Sequence, residues 1–553
     1  MALYNQLQSK QFQGIKDLIP AAKTILVFFN ELETNFTTLI AGIQSLTVDS
    51  NYELHSQEVI IPIRYTGEDL AQVAELQGLS VAEVIQKHQQ SVWNVAFIGF
   101  APGFAYLTSP DRPFTDIPRL SVPRKKIPAG ALGLAGQYSG IYPKDSPGGW
   151  QLIGTTSEKM WDLQRQNPAL LLPGMTVHFE DVTHQPTTVS VPEKIVPTIK
   201  PQSVDALFTV TAPSLQMLIQ DEGRLHQSKI GVGSAGAMDL PAMHSANRIV
   251  GNPSQTAVIE VLNGGLKAKM HRGTVIAVTG AISTILIKFS DGQTVNFESY
   301  QAIALDEGDE FFIQTPTAGL RNYLAVRGGL DLEPVLQSVS FDSLAVLGPE
   351  PLKVGDTLYQ GQVKTTHISV TEVAKLNLPK VGDLVELDIV MGPRTDWFEA
   401  ESIERLCQQS WLVTQESNRV GLRLLGEHPL VRKITRELES EGTCIGALQI
   451  PPNGQPVLFI NDHPLTGGYP VIASVAKHHW DLVAQIPAGC QIKFRKIAEF
   501  TVPEKEVDAT CKILRECMIF PLEVRNHVFS IDIDFAVGDS WGEVEDYTPS
   551  FLS

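Results

Sequence analysis

A duplicated segment is the feature that most constrains the fold of this chain. Residues 148–163 read GGWQLIGTTSEKMWDL, and residues 467–482 read GGYPVIASVAKHHWDL. The two stretches align without a gap, and each is followed by a Pro- and Gly-containing turn and a strand pattern that ends in Phe. Such a repeat predicts that one β-barrel domain occurs twice, with each copy supplying a Gly-Gly turn, a short helix and a closing strand. The alternative is a chance similarity between two unrelated helix–strand units.

Short β-branched runs punctuated by glycine and proline predict an α+β protein that is mainly β. Near the start, strand patterns at 23–29 and 60–65 alternate with helical periodicity over 69–88. Ser80 and Glu83 have the spacing of a capping box, which predicts that a helix begins there.

These patterns divide the chain into two modules joined by a proline-rich linker. The first module is expected to hold a small α/β domain and a barrel, and the second is expected to hold two further barrels and an extension of unknown role. The expected bounds are 1–90 for the α/β domain, 91–185 for the first barrel, 186–207 for the linker, 208–360 and 361–500 for the two barrels of the second module, and 501–553 for the extension.

Charge and cysteine content exclude several classes of function. The formal net charge of −18 disfavours nucleic acid and anionic membranes as partners. The five cysteines form no C-x-x-C pair, which argues against a disulfide framework or a zinc site and suits a reducing compartment. The N-terminal stretch MALYNQLQSKQFQGIKD contains no apolar signal core. We therefore expect a cytoplasmic protein.

The densest set of motifs lies between residues 97 and 156. It contains FIGFAPGFAYL at 97–107, PRKKIPAG at 123–130 and SGIYPKDSPGGW at 139–150. Glycine lets backbone approach a ligand closely, and arginine or lysine can pair with a carboxylate or a phosphate. The alternative is that the glycines only build tight turns and that the basic side chains are solvated. The candidate binding residues in this block are Arg119, Arg124, Lys125, Gly136, Tyr142, Ser146 and Gly148.

A second polar cluster, interrupted by glycines, lies within thirty residues of the second module. An aspartate there can act as a base or as a metal-ligand partner, and an arginine can hold an anion. A buried polar network that only holds loops together is the alternative. The residues of this cluster are Gln220, Asp221, Arg224, Asp239 and Asn247, and further candidates beside later glycine turns are Arg394, Arg419, Asp462 and Thr466.

Both motif sets resemble known families. The first module is similar, over roughly residues 15–185, to the allophanate hydrolase subunit 1 family, which is also called kinase-inhibitor-like or the B-type subunit of 5-oxoprolinase. The second module resembles the allophanate hydrolase subunit 2 family, or the C-type subunit of 5-oxoprolinase, over roughly residues 208–497. The motifs that carry the second resemblance include IQDEGR at 219–224, GVGSAGAMD at 231–239 and ESNRVGLRLLG at 416–426.

Two departures from the subunit 2 pattern fall in one stretch. Residues 337–341 read QSVSF where the family carries a GSRST-like sequence, and residues 348–352 read GPEPL where it carries a glycine- and arginine-containing one. If the missing arginine contacts substrate in relatives, this stretch predicts a weakened or specialised site.

The resemblance implies a fusion of the B-type and C-type subunits of an ATP-dependent 5-oxoprolinase, built on cyclophilin-like barrels. Such a protein activates 5-oxo-L-proline for ring opening to L-glutamate, together with a separate A-type subunit, and a homo-oligomer is left open. The resemblance also implies ATP with Mg²⁺, and because no GxxxxGK[ST] pattern occurs, the nucleotide needs another kind of site. By the same resemblance Asp221, Arg224 and Asp239 are expected to be catalytic, whereas the other candidates are expected to bind substrate or nucleotide.

Two other functions stay open at this stage. The same modules look like the carboxyl-transfer part of a urea carboxylase and allophanate system, although the sequence has no biotin-attachment motif. Relatives of the first module described as histidine-kinase inhibitors imply a regulatory binding protein instead. For an enzyme, we expect the main cleft to lie between the two modules, lined by residues 99–150 and a Gly-rich loop of the second module.

Overall fold

The computed structural model describes residues 2–10, 12–30, 32–46, 57–185, 205–374 and 377–498, and four short strands between 507 and 542. The expected linker lies outside the described residues except at its end, where residues 206 and 207 already belong to a strand. Strands dominate the described chain and helices are short, which confirms the α+β, mainly β fold class. No helix in these ranges is long and apolar enough to cross a membrane.

A small α/β unit comes first. Its two strands pair antiparallel, and its helices bury side chains such as Leu3, Leu39 and Ile43 in a shared core. Asn35 caps the second helix, because its side chain accepts a hydrogen bond from the N–H of Thr38. The elements are α1 Ala2–Ser9, β1 Ile15–Pro20, β2 Thr24–Asn30 and α2 Phe36–Gln44.

The first barrel spans residues 58–181. Its elements are β3 Glu58–Ile63, α3 Leu70–Gln77, α4 Val81–Gln90, β4 Trp93–Ile98, β5 Ala105–Thr108, β6 Arg124–Ile127, β7 Ala131–Ala135, β8 Tyr138–Ile141, β9 Ser146–Gly148, β10 Gln151–Thr155 and β11 Thr176–Asp181. Seven strands form a sheet in the order β10-β7-β8-β5-β4-β11-β3, and backbone hydrogen bonds of 2.8 and 2.9 Å between Arg64 and Thr155 join its two edges. Because β3 pairs in parallel with β11, the barrel begins at residue 58, and the expected boundary at 91 is wrong.

The two helices of this barrel begin and end where local chemistry predicts. Gly78 adopts a left-handed φ of 64° and ends α3. Ser80 and Glu83 form the capping box of α4, since the Glu83 carboxylate accepts a hydrogen bond of 2.7 Å from the Ser80 N–H and the Ser80 hydroxyl accepts one from the Glu83 N–H. The helix start predicted from the sequence is therefore confirmed.

The first half of the second module, which we call the sandwich, differs in form from the single barrel expected at 208–360. Its elements are β12 Ala206–Ala212, β13 Gln216–Gln220, a 3₁₀ turn Ser228–Ile230, α5 Leu240–Val250, β14 Val258–Leu262, β15 Lys267–Met270, β16 Thr274–Ile282, β17 Thr284–Lys288, β18 Thr294–Glu298, β19 Ile303–Leu305, β20 Glu310–Ile313, β21 Ala318–Val326 and β22 Thr357–Tyr359. They form one sheet in the order β18-β17-β20-β15-β12-β22 and another in the order β13-β14-β21-β16-β19. Both sheets contribute to one core, which contains Phe208, Ile259 and Leu324.

The second barrel closes fully. Its elements are β23 Leu384–Met391, a 3₁₀ turn Thr395–Trp397, α6 Ala400–Gln408, β24 Trp411–Val413, β25 Gly421–Leu425, β26 Glu441–Gly442, β27 Ala447–Gln449, β28 Val457–Phe459, β29 Thr466–Gly467, β30 Val471–Val475, a 3₁₀ turn Lys477–His479, α7 Trp480–Ala484 and β31 Gln491–Ala498. The barrel order is β23-β30-β27-β28-β25-β24-β31, and β26 pairs with β29 beside it.

The described residues of the expected C-terminal extension form four strands. They are β32 Val507–Asp508, β33 Cys517–Glu523, β34 Asn526–Asp532 and β35 Trp541–Gly542. β34 pairs antiparallel with β2, and β33 pairs with β34, so the N-terminal sheet has the order β1-β2-β34-β33. Strands β33 and β34 thus belong to the sheet of the first unit.

The two barrels share one topology, which confirms the duplication. In the first, the closing strand β11 pairs in parallel with β3 and antiparallel with β4, and in the second β31 pairs in the same way with β23 and β24. The short helix expected in both copies occurs in the second as α7, whereas the first copy is irregular at 156–163. There the chain folds back, since Trp161 bridges Ala169 and the Asp162 N–H donates to Pro168 O at 2.9 Å.

The two modules face each other across an interface that we call the seam. The Gly103 N–H donates to Ile230 O at 3.0 Å, and the Ala22 N–H donates to Ser440 O at 3.0 Å. Ile230 and Val232 of the sandwich belong to the hydrophobic core of the first barrel. The seam therefore combines backbone hydrogen bonds with a continuous apolar core.

Replacing Gly99 with alanine should weaken the seam. An added Cβ would lie 2.1 Å from Thr466 Oγ1 and 3.1 Å from Thr466 Cβ, so the modules would have to move apart. Overpacking of this kind costs about 1–3 kcal/mol, which thermal unfolding of the full chain should show as a lowered midpoint.

Gly233→Ala is the matched control, because its added Cβ would meet its nearest neighbour, His463 O, at an ordinary 3.6 Å. Adding Thr466→Gly to the Gly99→Ala variant should recover part of the loss. A Gly99→Ala midpoint equal to that of the control would show that the modules do not meet here.

Candidate functional site

The junction turn, residues 342–347 of the sandwich, lies where all three large units meet. Asp342 folds this turn, since its Oδ1 accepts hydrogen bonds from the N–H groups of Leu344 at 2.9 Å and Ala345 at 2.8 Å. Ala345 and Leu347 belong to the hydrophobic core of the first barrel. The second module thus reaches into the first through this turn.

Charged side chains from both barrels hold the junction turn. Lys144 of the first barrel donates a hydrogen bond from Nζ to Leu344 O. Asp462 of the second barrel accepts hydrogen bonds from the Ser343 N–H at 3.0 Å and from the Ser343 hydroxyl at 2.6 Å. A single turn therefore meets a cation from one module and an anion from the other.

Arg419 fastens the second barrel to the sandwich. Its buried guanidinium forms a bidentate pair with Asp462, with Nε 3.0 Å from Oδ2 and Nη2 2.9 Å from Oδ1. Its Nη1 donates to Glu260 Oε1 at 2.5 Å, and Nη2 also donates to Gly236 O at 2.7 Å. Burial opposes the charge, yet the two carboxylates hold the pKa of Arg419 above its usual value. Arg419 and Asp462, expected as binding residues, thus form a satisfied buried ion pair.

Asp221 and Arg224, expected to be catalytic, are held by the altered stretch at 337–341. Asp221 Oδ1 accepts hydrogen bonds from the hydroxyls of Ser338 at 2.6 Å and Ser340 at 2.5 Å, and Oδ2 accepts a backbone N–H at 2.8 Å. Arg224 is 1% exposed and donates from Nη2 to Ser340 O. The serines of this stretch thus build a loop around this carboxylate instead of leaving it free.

Asp342 is a candidate proton-transfer group that the sequence reasoning missed. It is 3% exposed, and burial together with the negative charge of Asp462 raises its pKa to about 6. Arg224 and the N–H groups of the junction turn oppose this shift. Burial lowers the pKa of Lys144, and the charge of Asp342 counteracts that effect. Opposite shifts of an acid and a base at a domain interface are typical of sites that move protons.

Arg119 lies on a more accessible part of the seam. Its side chain is 35% exposed, and its Nε is 3.5 Å from Glu437 Oε2 of the second barrel. A Cβ added to Gly149 would lie 3.7 Å from Arg119 Cβ, and a Cβ added to Gly468 would lie 3.6 Å from its Nη1. The two copies of the repeat therefore bring both Gly-Gly turns against one arginine.

Arg124, also expected to bind an anion, is already neutralised within the first barrel. Its Nε is 2.8 Å from Glu68 Oε1, and its Nη2 is 2.7 Å from Asp69 Oδ1. Burial works against its charge, but the bond to Asp69 raises the pKa of Arg124 overall. An anionic ligand would have to displace these carboxylates, so Arg119 is the better placed of the two arginines.

The remaining first-module candidates lie in strands of the first barrel or in the turns next to them. Tyr142 is buried, and burial raises its pKa. The Ser146 hydroxyl donates to Lys144 O at 3.0 Å and so stiffens the loop that carries this lysine. Gly148 pairs with a residue of β6, Gly136 accepts and donates backbone hydrogen bonds at a turn with a φ of 57°, and Lys125 is exposed.

Two second-module candidates organise helix α5. Asp239 caps the helix through Oδ1, which accepts the N–H of Ala242 at 3.1 Å, and its Oδ2 accepts a hydrogen bond of 2.9 Å from Gln485 Nε2. Asn247 is fully buried and donates from Nδ2 to three backbone carbonyls. Both side chains act as structural ties.

The last three candidates also have defined partners. Gln220 donates from Nε2 to a carbonyl next to the junction turn at 2.9 Å. Arg394 pairs with Glu441, with Nε 2.8 Å from Oε1. The Thr466 hydroxyl accepts the N–H of Phe100 at 3.2 Å, which places this candidate directly on the seam.

Asp221 and Asp239, whose residue type allows a metal-ligand role, do not fit the binding of Mg²⁺. The oxygens of Asp221 are filled by hydroxyl and backbone donors, and those of Asp239 by the helix N-terminus and an amide. Magnesium requires free oxygen ligands in near-octahedral geometry. No step is therefore assigned to a metal at these residues.

Asp388, His478 and His479 form a cluster whose coordinating atoms lie within 4.8 Å of one another. His479 Nδ1 accepts the Asp388 N–H at 2.9 Å, so the Nε2 of the neutral ring carries the proton and cannot ligate a metal. The Asp388 carboxylate is paired with His478 Nε2 at 3.0 Å and Arg495 Nε at 2.6 Å. Hydrogen bonds and ion pairs therefore occupy His479 Nδ1, His478 Nε2 and both carboxylate oxygens of Asp388.

Comparisons with known proteins agree with the two-module arrangement. Residues 1–171 match the family model for the carboxyltransferase domain, subdomain C and D, and residues 230–496 match the model for subdomain A and B. Over 291 residues the chain is 33% identical to the 5-oxoprolinase C-type subunit of Escherichia coli K12, an alignment that covers 52% of this chain and 90% of that protein. The chain belongs to the carboxyltransferase-domain family of the 5-oxoprolinase subunits.

The first module of this B–C fusion has its own relatives. Over 171 residues it is 39% identical to the 5-oxoprolinase B-type subunit of Escherichia coli O157:H7, and this alignment covers 30% of this chain and 78% of that protein. The crystal structure of a protein named TTHA0988 superposes on this chain with a TM-score of 0.76 and 30% sequence identity. The superposition covers 89% of this chain and 95% of the TTHA0988 chain. Urea amidolyase of Lachancea kluyveri is 32% identical over 317 residues, but these amount to 17% of that protein.

Arg419→Met should destabilise the B–C fusion strongly. The substitution leaves Asp462 buried without its bidentate cation and leaves Glu260 with the more distant Arg321, whose Nε is 3.6 Å from Glu260 Oε1. Removing one partner of a buried ion pair typically costs about 3–5 kcal/mol. Denaturant unfolding of the full chain measures this loss. Arg423→Met is the control, because Arg423 is an exposed arginine in the nearby strand β25. This variant should change the unfolding free energy by less than about 0.5 kcal/mol. Equal losses in both variants would contradict the role given to Arg419.

Asp342→Asn should make the stability of the fusion less dependent on pH. The folded-state pKa of about 6 lies above the ordinary 3.8, so wild-type protein loses stability as the pH rises from about 4 to about 6. The variant should exceed wild type by about 1–3 kcal/mol near pH 7.5, and this difference should fall toward zero near pH 4. Denaturant unfolding at several pH values checks this, and a pH-independent difference would contradict the shifted pKa.

Proposed function

We propose that this chain is the B–C component of an ATP-dependent 5-oxoprolinase, which activates 5-oxo-L-proline for ring opening to L-glutamate together with a separate A-type subunit. The observation that carries the proposal is the seam, where a B-type and a C-type module lie face to face and each contributes charged side chains. The relatives in which these modules occur as separate proteins are named as 5-oxoprolinase subunits.

The proposed chemistry begins with an unreactive amide. Transfer of the γ-phosphoryl group of ATP to the lactam oxygen forms an O–P bond and releases ADP, while the lactam N–H loses its proton. Water then adds to the ring carbon, and the C–N bond breaks to give a free amine and an acyl phosphate. A second water molecule releases phosphate and completes glutamate.

Asp342 is the proposed acceptor of the lactam proton. A carboxylate with a pKa of about 6 is ionised at neutral pH and is a stronger base than an ordinary aspartate. Lys144, which contacts the same turn from the other module, offsets the negative charge that develops as the proton leaves. Asp221, Arg224 and Asp239 support the surrounding loops and α5 in this proposal and do not react.

Glutamate release from 5-oxoproline tests the proposal directly. The full chain with an A-type subunit should release glutamate only when ATP is present, and the rate should rise as the pH passes about 6 because Asp342 must be ionised. Asp342→Asn should lower the rate by about 10²-fold or more, as expected for loss of a general base.

Asp309→Asn is the matched control for this assay. Asp309 is also a buried turn aspartate of the sandwich, 2% exposed, and its oxygens accept the N–H groups of Ser290 and Asp306. It should keep activity close to wild type. ATP-independent release, or equal losses in the two variants, would count against the proposal.

The similarity to urea amidolyase favours one other function, carboxyl transfer. Under that function the chain would move a carboxyl group between a biotinylated carrier and an amide substrate, and it would show no ATP-dependent turnover of 5-oxoproline. Supplying a carboxylated biotin carrier and urea to the same preparation distinguishes the two outcomes.

A further inference from the structure

The surroundings of Arg119 form an accessible anion-binding surface shared by both modules. Arg119 is loosely paired, at 3.5 Å, with Glu437, whose side chain is 69% exposed and free to turn into solvent. Exposed ion pairs of this kind contribute little energy, so a polyanion can replace the glutamate at low cost. The other acids nearby are engaged, since Glu439 lies 3.0 Å from Lys23 and Glu441 pairs with Arg394.

The Gly-Gly turns make the backbone beside Arg119 approachable. A Cβ added to Gly149 of the first module would lie 3.7 Å from Arg119 Cβ, and a Cβ added to Gly468 of the second would lie 3.6 Å from Arg119 Nη1. Both glycines therefore lie close to this arginine. A side chain at either position would stand between a ligand and the backbone. Phosphate groups bind where an arginine and unobstructed backbone lie together.

An exposed aromatic ring follows directly after the second Gly-Gly turn. Tyr469 is 41% exposed, so part of its ring is open to solvent. The guanidinium of Arg432 lies 5.5 Å from the Tyr469 ring centroid, and its Nε is buried without a hydrogen-bond partner in the described structure. One side of the ring is thus supported by a cation, and its exposed surface offers a platform for stacking a planar base.

We propose that ATP binds at the seam with its phosphates on Arg119 and the backbone of the two Gly-Gly turns and with its base on Tyr469. This inference rests on the proposed function, and it gives the nucleotide a location that neither module possesses alone. Arg119 comes from the B-type module, whereas Gly468, Tyr469 and Arg432 come from the C-type module. Under the proposed function, such a shared site would make activation of the substrate depend on both modules.

Equilibrium binding to the full chain, measured by calorimetry without 5-oxoproline, tests the location. Arg119→Met should lower the affinity for ATP and for inorganic triphosphate alike, by about tenfold or more, because both ligands depend on the phosphate contacts. Tyr469→Ala should lower the affinity for ATP by about tenfold and keep the affinity for triphosphate within about twofold of wild type, because only ATP has a base to stack. Tyr469→Phe keeps the ring and should bind ATP within about twofold of wild type.

Arg272→Met is the matched control for the arginine. Arg272 is also an exposed, paired arginine, 3.1 Å from Asp205 and remote in sequence from the seam, and its loss should leave ATP binding unchanged. The location is wrong if wild type binds no ATP at millimolar concentration, if Arg119→Met binds ATP normally, or if Tyr469→Ala weakens triphosphate as much as ATP.

Turnover assays separate this inference from the proposed function. If wild type hydrolyses ATP with 5-oxoproline and an A-type subunit while both variants keep the wild-type KM for ATP, the function stands and the location fails. If ATP binding depends on Arg119 and Tyr469 but 5-oxoproline never stimulates hydrolysis, the nucleotide site stands and the 5-oxoprolinase function fails.

Discussion

The buried pair between Arg419 and Asp462 is the interaction on which the rest of the site depends. Asp462 holds Ser343 of the junction turn, and Arg419 in turn holds Asp462 and Glu260 of the sandwich. Two carboxylates and a guanidinium removed from water are tolerated only because each finds a partner of good geometry. That pairing fixes the second barrel against the sandwich and sets the position of the turn that enters the first module.

Joining the two modules in one chain suits such a seam. Covalent linkage raises the effective concentration of one module near the other, so their interface need not be strong by itself. The contacts between them include single hydrogen bonds and an exposed ion pair, as well as the apolar residues Ile230 and Val232. Charged groups from both sides then meet at Asp342 and at Arg119, and neither position would have its present environment in an isolated module.

Local features of this fold follow from the sequence, whereas most of the site does not. The capping box at Ser80 depends on residues three apart, and the barrel repeat is visible in paired motifs. Lys144 and Leu344, by contrast, are 200 residues apart, and no local pattern brings them together. Thr466 stands beside a glycine turn in the sequence, and the structure places it on the seam.

The altered stretch at 337–341 gives Asp221 an environment that the sequence alone does not predict. The sequence predicts a reactive carboxylate from an aspartate beside glycines, and it predicts a weakened or specialised site from the loss of the family arginine. In the folded chain Ser338 and Ser340 donate hydrogen bonds to that aspartate. The carboxylate with the raised pKa is Asp342, two residues after Ser340. Whether a buried carboxylate is satisfied depends on its partners in the fold as well as on the residue type.

A fixed seam between the modules is the central claim, and hydrogen–deuterium exchange of the full chain tests it most directly. The amides of Gly103 and Ala22 donate across the seam to Ile230 and Ser440, whereas the Val95 amide donates within the first barrel to Met175. The seam amides should exchange slowly, within about tenfold of the Val95 amide, because opening them requires separating two packed modules. Exchange at the rate of an open surface loop would show that the two modules do not form this junction in solution.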